Sequence, residues 1–115
     1  MSLENVLGRL RKETEAIASA VISRDGLVIA ADLPEGVSTE TFSIMCAAIM
    51  GAAMTATTEM GRNAPTRILI ESEDLLVVIY ASDRHSMLVV VLPPGADLAR
   101  VDERVDMVAE QLTAA

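Results

Sequence analysis

Leu3, Val6, Leu7, Leu10 and Ile17 fall at helical spacings behind Ser2, the pattern of one apolar stripe on a helix capped by a serine hydroxyl. Glu4, Arg9, Arg11, Lys12, Glu13 and Glu15 take the other positions, so the first element is an amphipathic helix. The period then changes from helical to alternating or continuous. Ala18–Ser23 and Leu27–Ala31 flank Arg24, Asp25 and Gly26. Asp followed by Gly supplies the positive φ angles of a tight turn, which predicts an antiparallel hairpin. Pro34 and Gly36 end it.

Ser38 or Thr39 caps a second helix, with Glu40 in the first turn where the helix dipole favours an anion. Gly61, Asn63 and Pro65 stop it. Three more strands follow at Thr66–Glu71, Leu75–Tyr80 and Met87–Leu92, joined by polar turns. The last two are apolar on both alternating faces, which predicts helices on both sides of the sheet. Thr66–Glu71 carries charge and reads as an edge strand. After Pro93, Pro94 and Gly95, Asp97 caps a final helix whose stripe is Leu98, Val101, Val105, Val108 and Leu112. The expected fold is α+β, a five-stranded antiparallel sheet with helices on both faces, in the order α-β-β-α-β-β-β-α. Residues 1–115 are expected to form a single domain, with no internal repeat or long linker.

The second helix breaks the pattern of the other two. Between Glu40 and Glu59 it carries no charge. On a helical projection Phe42, Met45, Cys46, Ile49, Ala53, Ala56 and Met60 form the larger side, expected to face the sheet. Ile44, Ala47, Ala48, Gly51, Thr55 and Thr58 lie opposite, with Ser43, Met50 and Met54 on one flank. Ala47, Gly51 and Thr55 make a track of small residues along which another helix backbone can approach closely. Either a terminal helix of the same chain covers this track, or a second molecule does. The terminal helices each have one stripe, already spent on the sheet's other face. An uncovered track leaves of the order of several hundred Å² of apolar surface, worth several kcal/mol of association at ~25 cal/mol per Å². An intermolecular interface is the expectation.

Composition supports association. AVILMFWYC residues make up 51% of the 115, an apolar surplus for so short a chain. The net charge of −8 has no basic cluster to offset it, and Phe42 and Tyr80 are the only aromatic residues, so nucleic-acid binding is not expected. The uncharged run from Thr41 to Thr58 approaches membrane-spanning length. It is rich in Ala, Thr and Gly and lacks flanking anchors, so no membrane span is expected. Charges at Glu4, Arg9, Arg11 and Lys12 do not fit a signal peptide, and the single Cys46 fits a reducing, cytoplasmic setting.

Chemistry is sparse. His85 is the only histidine, placed in a charged turn, and Cys46 reads as a buried core thiol. One His and one Cys exclude a Cys/His metal site within the chain. The six glycines form no phosphate-cradling motif. Asp102, Glu103 and Asp106 read as the solvated face of the last helix. No catalytic residue, cofactor site or metal site is expected, and the chain is not expected to be an enzyme.

Ala20–Ala30 with its Asp25-Gly26 turn, the uncharged Ala/Met-rich helix and the closing meander and helix together resemble the Roadblock/dynein light chain family, over Leu3 to Leu112. Arg24 stands where that family often has a second acidic residue. The resemblance implies a homodimer in which the central helices pack together and the third strands pair into a ten-stranded sheet. Ile44, Ala47, Ala48, Gly51, Thr55, Arg67 and Leu69 would lie at that interface. It also implies regulation or scaffolding of a Ras-like small GTPase, docked on or beside the central helices at Ser43, Met50, Met54 and Thr58. No arginine lies on that helix, so it offers no inserted arginine finger. Two other readings remain open. One is a structural dimer module of a larger motor or signalling assembly. The other is a small-molecule sensor on the related profilin-like or PAS-like sheet, against which the strands' lack of convergent polar groups counts.

Overall fold

The computed structural model describes residues 2–114, with side chains through Glu110. Its elements are α1 (Leu3–Thr14), β1 (Ala18–Ser23), β2 (Val28–Asp32), α2 (Thr39–Glu59), β3 (Arg67–Glu71), β4 (Leu76–Ala81), β5 (Ser86–Leu92) and α3 (Leu98–Ala114). The order of elements is the one expected from the sequence, and each strand boundary lies within one residue of it.

Local chemistry sets these bounds. Ser2 accepts from the Asn5 N–H and caps α1, and Glu15 closes that helix in the left-handed region at φ 60°. Ser38 caps α2 by accepting from the Thr41 N–H. Asp97 accepts from the Arg100 N–H and opens α3. Gly26 takes φ 93° in the β1–β2 turn, a conformation costly for any residue with a Cβ.

All strand pairs are antiparallel, in the spatial order β2-β1-β5-β4-β3. Val21 opposes Leu88, Ile79 opposes Val89 and Leu69 opposes Val78. The two edges differ. β3 pairs with β4 in unbroken register from Arg67 to Glu71. Along β2 the register steps between Val21 and Ile22, leaving Ile29 as an extra, bulged residue.

Two cores sandwich the sheet. On one face α1 and α3 bury Val6, Leu7, Leu10, Val101, Val105 and Val108 against Val21, Val78, Leu88, Val90 and Leu92. On the other face α2 alone packs over Ala20, Ile22, Ile79, Met87 and Val89. Both terminal helices are thus spent on the face opposite α2, and among the described residues neither covers its back. The expected stripe position Leu112 lies outside the described side chains.

Candidate interaction surface on the central helix

Three of the 21 residues of α2 are buried: Ser43, Cys46 and Met50. By length and composition alone α2 could cross a membrane, but Cys46 and Met50 pack into the core on the sheet. Phe42, Cys46 and Ile49 face the sheet as expected, but the helix is turned relative to the expected phase so that Ser43 and Met50 also lie inward. Met45 and Met60, expected against the sheet, are 52% and 76% exposed. Ser43 and Met50, expected to face a partner, are turned inward and present nothing to solvent. A serine is tolerated there because its hydroxyl donates to the Thr39 carbonyl at 2.7 Å, leaving no unsatisfied group in the core. Met50 is flexible enough to fill the space between β-strand side chains.

The outward face consists of Thr41, Ile44, Met45, Ala48, Gly51, Ala52, Thr55, Ala56 and Glu59, all exposed. Of the residues expected at a helix interface, Ile44, Ala48, Gly51 and Thr55 are exposed, and Ala47 is half-buried against the sheet core. Gly51 is open: a Cβ built there meets nothing within 4 Å. Sequence reasoning missed Met45, Ala52 and Ala56, although the four-residue spacing of Ala48, Ala52 and Ala56 was a usable signal. The face is small-residue and uncharged at its centre, at Ala48, Gly51, Ala52 and Thr55.

Met54 and Thr58 remain exposed beside it. Met54 shares a groove of about 450 Å³ with Arg24, Ala64, Pro65, Ala81, Asp83 and Arg84. Arg24 fastens that region together, donating from Nε to the Ser86 carbonyl at 3.3 Å, from Nη2 to the Asp83 carbonyl at 2.6 Å and from Nη1 to Met54 Sδ at 3.4 Å. The residue that departs from the family pattern therefore joins the β1–β2 turn, the β4–β5 turn and α2.

At the β3 edge, Leu69 is 45% exposed and Ile70 37%. Arg67 leans over the sheet to form an ion pair with Asp102 on α3. The Tyr80 hydroxyl donates to the other Asp102 oxygen at 2.6 Å. Asp102 is thus a tie between α3 and the sheet, not the solvated acid expected from the sequence. Partial burial opposes its charge, but the Tyr80 hydroxyl and Arg67 outweigh it and hold the carboxyl below the usual range.

Cys46 is buried, and desolvation pushes its thiol up to about 11, the condition of an inert core thiol. His85 is exposed in the β4–β5 turn, where its backbone N–H donates to the Asp83 carboxylate at 2.6 Å. Among the described residues no group of three or more His, Cys, Asp or Glu side chains could hold a metal ion.

A sequence profile of the Roadblock/LC7 domain matches residues 2–92. The chain belongs to the Roadblock/LC7 family. It is 30% identical over 112 residues to an uncharacterized protein of Methanocaldococcus jannaschii, MJ1340, covering 97% of each chain. Myxococcus xanthus MglB superposes with a TM-score of 0.91 at 19% identity, covering 96% of this chain and 91% of that one. A Roadblock/LC7 domain from Streptomyces avermitilis gives 0.89 at 15% identity, over 99% and 97%. At those identities the two structures establish the Roadblock fold.

Proposed function

We propose that this Roadblock/LC7 protein is a non-enzymatic, cytoplasmic homodimer that regulates or scaffolds a Ras-like small GTPase. One observation carries the reading: the outward face of α2, uncharged between Glu40 and Glu59 and with Ile44, Met45, Ala48, Ala52 and Ala56 exposed, is covered by no other element among the described residues. Exposed apolar surface of that extent marks an association site in a soluble domain. Small residues at its centre let a second α2 approach closely. The unbroken β3 edge, with exposed Leu69 and Ile70, supports strand pairing into one ten-stranded sheet. Arg67 and Leu69 would then lie at the seam. The bulge at Ile29 makes the β2 edge the poorer partner.

Family membership supports the partner class. Met54 and Thr58, exposed beside the paired helices, are the side chains we assign to GTPase contact, together with the groove below Met54. No arginine lies on α2, and Arg24 is committed to three acceptors. Any stimulation of hydrolysis would therefore come from repositioning the GTPase's own residues. No cofactor enters this account.

Purified Ras-like GTPases of the same genome, loaded with GDP or a non-hydrolysed GTP analogue, provide the test. The account expects a nucleotide-dependent complex with one of them, weakened by Met54→Asp. Failure of every one to bind in either nucleotide state overturns the GTPase assignment and leaves the dimer standing.

A further inference from the structure

A trough of about 440 Å³ runs between the β1–β2 turn and the first turns of α2, lined by Asp25, Gly26, Leu27, Val28, Glu40 and Ile44. Its apolar walls are open to solvent: Leu27 is 67% exposed, Val28 37% and Ile44 53%. Ile29 and Val37, at 49% and 42%, extend apolar surface nearby. Two carboxylates rim the trough, and neither Asp25 nor Glu40 has an ion-pair partner among the described residues. The neighbouring cation does not serve them. Arg24 is occupied by Ser86, Asp83 and Met54.

The obvious structural roles leave this charge unspent. Asp25 accepts from the Ser23 hydroxyl, and that bond with its own backbone N–H holds its carboxyl below the usual range, so it is ionised at neutral pH. Glu40 sits in the first turn of α2, where the dipole favours it, yet among the described residues no cation pairs with it. An apolar trough between uncompensated negative charges calls for an occupant that is both aliphatic and cationic. β2 pairs only with β1, so an extended chain would find unpaired backbone on its outer side. The Ile29 bulge breaks that edge, so a ladder along it would be short and the side chains would set the selectivity.

We propose that this trough docks an extended segment of a partner protein in which arginine or lysine alternates with large aliphatic side chains. The cations pair with Asp25 and Glu40, and the aliphatic groups pack among Leu27, Val28 and Ile44. The surface lies beside the α2 face assigned to dimerisation and meets it only at Ile44. It goes beyond the GTPase reading and stands whether or not that partner is correct.

The test is a ¹⁵N-resolved NMR titration with a short synthetic peptide alternating arginine and leucine. Two control peptides replace arginine by glutamate or leucine by serine. The proposal expects shifts centred on Asp25–Val28, Glu40 and Ile44, and no binding of either control. An Asp25→Asn/Glu40→Gln double variant should bind about three- to tenfold more weakly, the scale of exposed charge pairs. Leu27→Ser, at a side chain that supports no core, should weaken binding comparably without altering the circular dichroism spectrum. Shifts centred instead on Ala48, Ala52 and Ala56, equal binding of the glutamate peptide, or unchanged affinity of both variants would each overturn it.

Discussion

A Cβ at Gly26 would lie 3.3 Å from the Cα of Ile44, so the β1–β2 turn rests directly on the backbone of α2. With φ at 93°, this position is constrained twice, by conformation and by contact. Gly26→Ala is expected to cost about 1–3 kcal/mol of stability. Urea denaturation of the variant measures it, and a loss of less than a few tenths of a kcal/mol would mean the turn is free of α2.

The Tyr80–Asp102–Arg67 tie gives a pH dependence. Because the folded carboxyl titrates below its ordinary value near 4, its contribution is full above that value and is lost as pH falls through the lower, folded one. Tyr80→Phe should lower stability at neutral pH by about 0.5–1.5 kcal/mol, the net worth of one hydrogen bond. It should also flatten the loss of stability below about pH 4. Denaturant midpoints across pH 2–7 for both proteins check this, and parallel curves would contradict it.

Cys46 offers a probe of the core. With the thiol pushed up to about 11 and its side chain buried, it should react with an aromatic disulfide reagent at pH 8 only as the protein unfolds. Rates that rise with urea in step with unfolding are the expected result. Reaction at the rate of a free thiol in buffer alone would show that α2 lifts off the sheet.

Much of this architecture was legible because each strand and turn carries a local signal. Asp25-Gly26 marked the hairpin, Ser2 and Ser38 or Thr39 marked helix starts, and the runs at Leu75–Tyr80 and Met87–Leu92 announced strands buried on both faces. The phase of α2 was legible only in part, through Phe42, Cys46 and Ile49, and for a physical reason. A helix without a polar stripe has no amphipathic signal, so side-chain size was the only guide, and size pointed Met45 and Met60 the wrong way. Burial of Ser43 depends on a hydrogen bond within its own helix, which a count of polar residues does not anticipate. Asp102 and Tyr80 are 22 positions apart, and nothing local to either predicts their meeting. Arg24 likewise acquires its role only when three separated segments converge on it.

The most direct test of the central claim is the mass in solution of the wild-type chain and of Gly51→Glu, by light scattering coupled to size exclusion. Gly51 is exposed and nothing lies within 4 Å of a Cβ there, so the protomer has room for the new side chain. In a helix pair the same substitution places an unpaired carboxylate in the contact. The wild type is expected at twice 12.2 kDa and the variant at 12.2 kDa with unchanged circular dichroism. A wild type that elutes as one chain, or a variant whose mass still equals the wild type's, would contradict the pairing of the central helices.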